Sequence, residues 1–201
     1  MPKLLKWLIG VIVILLLGFA GLVMYVNTIF DFNAGEQYST NDLIENYTAK
    51  SREIEALQHY VNQKVRPSQQ VEIEFEDEHT LTLFHVNEAG TWDSHWEVKR
   101  HSEVSGKLLA KLAWTEGTLD TLKDMLDKAN CISVRSGEPC QIGFKRSGMG
   151  MFFYNLFTQP IADSLKSRYN DSCTYIYYNK HVVLEYGGGA IGPQCFPKTR
   201  H

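Results

Sequence analysis

The chain has 201 residues, a formal net charge of -3, 44% hydrophobic and 21% charged residues. That is an ordinary globular balance, and it argues against a strongly basic nucleic-acid binder. Ten Tyr and ten Phe favour β structure and packed sheet faces.

The N-terminal stretch MPKLLKWLIGVIVILLLGFAGLVMYV carries no charge from residue 7 to residue 26. At about 1.5 Å per residue, such a run matches a hydrocarbon core of roughly 30 Å. It predicts a transmembrane signal-anchor over 7–26, after a cytoplasmic N-terminus at 1–6. The rival is a cleaved signal peptide, since Gly18-Phe19-Ala20 fits a small-x-small site. Yet the apolar run continues through Leu22, Val23, Met24, Tyr25 and Val26. Lys3 and Lys6 precede the run, whereas Asp31, Glu36 and Asp42 follow it with no Lys or Arg before Lys50. Positive charge stays on the cytoplasmic side. The prediction is a single-pass protein whose C-terminal domain lies outside the cytosol, in the periplasm or cell exterior of a bacterium or the lumen or exterior of a eukaryotic cell, with the lipid bilayer as a partner through 7–26. Residues 27–39 read as a linker and 40–201 as the extracytoplasmic domain.

Cys131, Cys140, Cys173 and Cys195 are the four cysteines. An oxidising compartment permits disulfides, and all four are candidates for structural pairs. Cys195 is expected to tie down the terminus through Cys140 or Cys173. The cysteines lie too far apart for the close pairs usual at zinc.

Residues 40–65 read as a long helix capped from among Ser39, Thr40 and Asn41. Leu43, Tyr47, Ile54, Leu57 and Val61 form its apolar stripe, interrupted by Lys50. The stripe packs on the domain's own sheet or, in a second reading, dimerises two copies through 40–65. Next, Val71, Ile73 and Phe75 alternate with Glu72, Glu74 and Glu76, a strand with one wet acidic face. Strands at 80–86 and 92–100 complete a meander. LLAKLAW (108–114) is ambiguous between helix and strand. A helix follows, capped by Thr118, with Leu119, Leu122 and Leu126 as its stripe. Strands at 131–135, 141–146 and 151–157 come next, then a short helix over 158–170. A hairpin of 173–178 and 182–186 closes the domain. The order predicts an α+β fold: an N-terminal single transmembrane helix, then one extracytoplasmic domain with a mainly antiparallel sheet and about three helices.

No catalytic constellation is legible. Ser147 fails the G-x-S-x-G spacing, with Lys145 and Met149 where glycines belong. His79, His85, His95 and His101 gather in the first meander, and His85 and His95 are a two-ligand seed on neighbouring strands, with no third ligand evident. Gly187, Gly189 and Gly192 satisfy G-x-G-x-x-G literally, but Pro193 follows where a helix should begin. No cofactor or metal is assigned. Asn46 and Asn170 open glycosylation sequons.

The leading expectation is a membrane-anchored binding or assembly module contacting an envelope protein, peptide or polysaccharide. Its binding-loop candidates are Gly148, Gly187, Gly188, Gly189 and Gly192, with Trp92 and Trp96 as an aromatic platform. The competing one is an envelope enzyme, a hydrolase or thiol-dependent, using Cys195, His181 and Glu185 or a histidine metal site.

Overall fold

A long N-terminal helix and an α+β domain fold as two separate units, divided between residues 36 and 37. The structure is a computed structural model, and it describes residues 3–29, 38–147, 150–188 and 192–197. Helix α1 (Lys3–Ile29) forms the first unit, and its described side chains, including Leu16, Phe19, Leu22 and Met24, are exposed. Among the described residues, no helix is long and apolar enough to cross a membrane. The expected anchor at 7–26 therefore draws no support from the described part of α1.

The second unit begins with α2 (Thr40–Lys64). Ser39 caps it: its hydroxyl accepts from the Asp42 N–H at 3.3 Å, and the Asp42 carboxylate accepts from the Ser39 N–H at 2.7 Å. This reciprocal pair satisfies two amides left open at the helix start. Lys50 has φ -126° and ψ 17°, so the helix kinks where the stripe is interrupted. Leu43, Tyr47, Ile54, Leu57 and Val61 are buried in the core of the same chain. They therefore offer no seam for the expected homodimer through 40–65.

Eight strands form one sheet: β1 (Gln69–Phe75), β2 (Thr80–Glu88), β3 (Thr91–Lys99), β4 (Ser133–Arg135), β5 (Cys140–Ser147), β6 (Gly150–Leu156), β7 (Tyr175–Asn179) and β8 (Val182–Gly187). Their spatial order is β3-β2-β1-β4-β5-β6-β8-β7, and every neighbouring pair is antiparallel. One row of register partners runs Phe84, Ile73, Val134, Ile142, Tyr154, Leu184. All six are buried and belong to one core with side chains of α2, α3 (Glu103–Leu112) and α4 (Glu116–Lys128).

The helices depart from expectation in three places. The ambiguous stretch 108–114 is helical as far as Leu112, the end of helix α3, which starts at a Ser102 cap and buries Leu108, Leu109 and Leu112; Ala113 closes it with a left-handed φ of 55°. The cap of α4 is Thr115 rather than Thr118, whose hydroxyl instead accepts from the Thr115 N–H at 3.3 Å. The helix expected over 158–170 shrinks to one turn, α5 (Asp163–Lys166), which buries no residue. Thr158 is drawn away by the Glu138 carboxylate, which accepts its N–H at 3.0 Å and its hydroxyl at 2.7 Å. The domain thus has four helices among its described residues.

The C-terminal segment turns back on the sheet. Gly187 (φ 145°) bridges to Pro193, and the Gly188 N–H donates to the Gly192 carbonyl at 2.9 Å. Cys195 is bonded to Cys173, and Phe196 stacks on Phe152 and Tyr186 with centroids 5.8 and 6.0 Å away. Cys131 and Cys140, the other disulfide candidates, are free and buried. Burial pushes both thiols up to about 12, so neither is a nucleophile at neutral pH.

Candidate ligand-binding face

The helices cover only one face of the sheet. On the other face, side-chain alternation is set by a bulge. Relative to β1, the strand β2 carries an irregularity at Thr82: Glu74 pairs with Leu83, but Phe75 pairs with Leu81. Glu97, across from it on β3, takes a left-handed φ of 51°. Such an irregularity re-aims the flanking side chains. Leu81 and Val98 therefore enter the core, whereas Leu83 and Trp96 face away from the helices.

With that parity, Trp92, Ser94 and Trp96 share the open face at the edge of the sheet. Trp92 is 44% and Trp96 62% exposed. His85 pairs with Ser94 in register. Its ring makes edge contacts with both indoles, with centroids 6.2 Å from Trp92 and 5.1 Å from Trp96. His85 Nε2 is buried and has no hydrogen-bond partner among the described residues. Burial holds the His85 pKa below its ordinary value, and His95 lowers it further.

A polar row continues inward. Register partners run Ser94, His85, Glu72, Arg135, Gln141, Asn155. Burial raises the Glu72 pKa, partly opposed by the Arg135 charge and reinforced by Glu74. Glu74 is 5% exposed and is held by a fork from Arg146, with Nε to Oε1 at 2.6 Å and Nη2 to Oε2 at 2.7 Å. The expected wet acidic face is thus half-buried and locally neutralised. Further along, Gln141 and Asn155 donate to Glu185 Oε2 at 2.9 and 2.7 Å, and Phe157, Tyr169 and Tyr175 stack in series.

The other candidates are dispersed. His95 pairs with Phe84, one residue out of step with His85, so the two rings lie on opposite faces and cannot seed one metal site. His95 sits 2.9 Å from Asp93 instead. His79 and His101 are exposed, and His101 Nδ1 is 3.6 Å from Glu116. Among the described residues, no group of three His, Cys, Asp or Glu side chains is placed to hold a metal ion.

The thiol constellation is not assembled either. The Cys195 sulfur is in the disulfide, and Glu185 is engaged by Gln141 and Asn155. His181 lines a separate cleft of about 250 Å³ with Tyr47, Glu55 and His59. Its Nδ1 lies 3.0 Å from the Phe157 carbonyl, a group that only accepts, so Nδ1 carries the proton. Ser147 is buried at the end of β5 rather than raised on an elbow. Gly187, Gly188 and Gly192 shape the tail turn, while Gly148 and Gly189 lie outside the described residues. The amide of Asn46 is occupied by the Ala129 carbonyl at 3.2 Å and the Tyr154 hydroxyl at 3.1 Å.

Of the expected site residues, Cys173 and Cys195 are joined in the disulfide, and Trp92 and Trp96 share the open face of β3. The sequence did not single out Glu72 and Arg135 as their neighbours, and the cross-strand register that joins them has no local signal. No protein-family model, curated protein or solved structure matches the chain.

Proposed function

We propose that the protein is a membrane-anchored, extracytoplasmic binding module, and that it contacts an envelope partner through the exposed half of the sheet face. The carrying observation is the pair of exposed indoles, Trp92 and Trp96, flanking a buried and unpartnered His85 nitrogen. Large flat side chains left in water beside unengaged polar groups are the composition of a contact surface. Three features favour the anchor and the location. Residues 7–26 carry no charge, Lys3 and Lys6 precede them, and a surface disulfide joins Cys173 to Cys195, which suits an oxidising compartment.

The test is photocrosslinking from position 94, exposed between the two indoles, in membranes of cells that make the full chain. Position 121, exposed on α4, serves as the control. A discrete adduct from 94 and none from 121 is the expected result. Equal labelling from both positions, or none from 94, removes the reading. A membrane-impermeant maleimide should also label Ser94→Cys in intact spheroplasts; protection until lysis would put the domain in the cytosol.

A further inference from the structure

We infer that the open face binds a neutral oligosaccharide, laid along β3 across Trp92 and Trp96; this rests on the reading of that face as a contact surface. Three observations select this ligand chemistry.

The first is spacing. Trp92 and Trp96 stand four residues apart on one strand face, about 13 Å at the usual strand rise. The His85 ring stands between them, 6.2 and 5.1 Å from the two indole centroids, and a linear chain of linked rings laid along the strand covers both. An indole offers a broad apolar surface with a polar N–H, suited to the C–H faces of a sugar ring.

The second is the hydrogen-bonding capacity between and beside the rings. Ser94 lies exposed between them, and His85 Nε2 is buried without a partner. Glu72 and Arg135 follow on the same row, and neither side chain hydrogen-bonds to another described residue. The row therefore presents a hydroxyl, a carboxylate and a guanidinium, both donors and acceptors, with the buried His85 nitrogen unpartnered beside them. A polyhydroxylated chain answers both kinds at once, because each hydroxyl donates and accepts.

The third is charge. Glu72 stands beside Arg135, and Glu74 is consumed by Arg146. Glu185, further along the face, is held by neutral amides. The face therefore carries no excess of positive charge. A phosphorylated or sulfated ligand would need a basic surface, and an anionic lipid surface would need a Lys/Arg cluster. Neither is present among the described residues of this row.

The test uses the full chain in lipid nanodiscs, which avoids glycoside detergents. Cellohexaose, chitohexaose and maltohexaose are titrated by calorimetry and by tryptophan fluorescence, with a heparin-derived oligosaccharide and a neutral unstructured peptide as comparison ligands. At least one neutral hexasaccharide should bind and shift the indole emission. Trp92→Ala and Trp96→Ala should each weaken that binding about tenfold or more. Both rings are exposed, so thermal unfolding should stay near that of the parent chain. Ser94→Arg, an exposed change away from the core, should also block binding. The inference falls if none of the three sugars binds, if both Trp variants bind like the parent, or if the sulfated oligosaccharide or the peptide binds more tightly. A protein adduct from position 94 together with any of those results would leave the contact surface standing and remove only the sugar.

Discussion

Tyr154 donates its hydroxyl from the middle of β6 to the carbonyl of Leu43, 2.8 Å away in the first turn of α2. The same hydroxyl accepts from the Asn46 amide at 3.1 Å, and Asn46 Oδ1 accepts from Asn130 at 3.1 Å. One buried tyrosine therefore joins the sheet to α2, while Asn46 extends the link to the end of α4. Burial raises the Tyr154 pKa well above its ordinary value, so the group stays a neutral donor. Tyr154→Phe leaves the ring's packing in place but strips the Leu43 carbonyl of this donor. The expected loss is about 1–3 kcal/mol, read as a lower urea midpoint with an unchanged slope. A midpoint like that of the parent would show that water replaces the hydroxyl at no cost.

Glu72 gives a pH prediction with a definite sign. Its native pKa is raised above the ordinary 4.5, chiefly by burial. The folded state then holds the proton more tightly than the unfolded one, so ionisation opposes folding. The effect vanishes below the unfolded pKa, sets in as pH rises through about 4.5, and is complete above the native pKa. Glu72→Gln removes the ionisation. Its unfolding midpoint should match the parent's near pH 4 and exceed it at neutral pH. A variant less stable than the parent at pH 7, but equal at pH 4, would mean that ionised Glu72 stabilises the fold through Arg135.

The sheet was legible because its strands carry period-two or two-sided apolar patterns that no helix would bury. Val71, Ile73 and Phe75 do reach the core. The intervening glutamates, expected to be solvated, are instead half-buried at 72 and buried at 74. Arg146, which neutralises Glu74, lies on β5, far along the chain, and only the register brings it there. The parity break at Thr82 and Glu97 was equally hidden, since nothing in a glutamate announces a positive φ. Without that break, Trp96 would fall on the face of Val98. Helix α5 fails for the opposite reason: its sequence permits a helix, but its one turn buries no residue to hold it down.

The disulfide separates the four cysteines into two classes. Denatured without reductant, the chain should take up two alkyl groups, at Cys131 and Cys140, and four after reduction. The native chain should take up none, because both thiols are buried with pKa values pushed up to about 12. Cys173 and Cys195 are 22 positions apart, and opening a loop of that size costs about 3 kcal/mol. Cys195→Ser should therefore lower the unfolding midpoint and fray the tail first. Hydrogen exchange at Phe196, whose N–H donates to the Cys173 carbonyl at 2.8 Å, reports this directly. Unchanged protection there would assign the tail's anchorage to the Phe152 and Tyr186 stack instead.

Gly187, Gly188 and Gly192 should differ in their tolerance of a side chain. All three have positive φ, at 145°, 90° and 67°, where a Cβ costs about 1–2 kcal/mol. At Gly187 that atom would also sit 2.9 Å from the Gln194 nitrogen and 3.0 Å from the Gly192 oxygen, both backbone. At Gly188 it would meet the Phe153 ring at 3.2 Å, and at Gly192 it would meet nothing within 4 Å. Backbone cannot yield without breaking the bridge to Pro193, a ring can tilt, and open space asks nothing. Alanine should therefore be most destabilising at 187, less at 188 and least at 192. Thermal unfolding of the three variants tests the order. Loss at 192 equal to loss at 187 would mean that φ strain alone sets the cost and that the close return of the tail adds nothing. If Gly188→Val left stability intact but lost the photoadduct from position 94, the tail would join the contact surface rather than merely close the sheet.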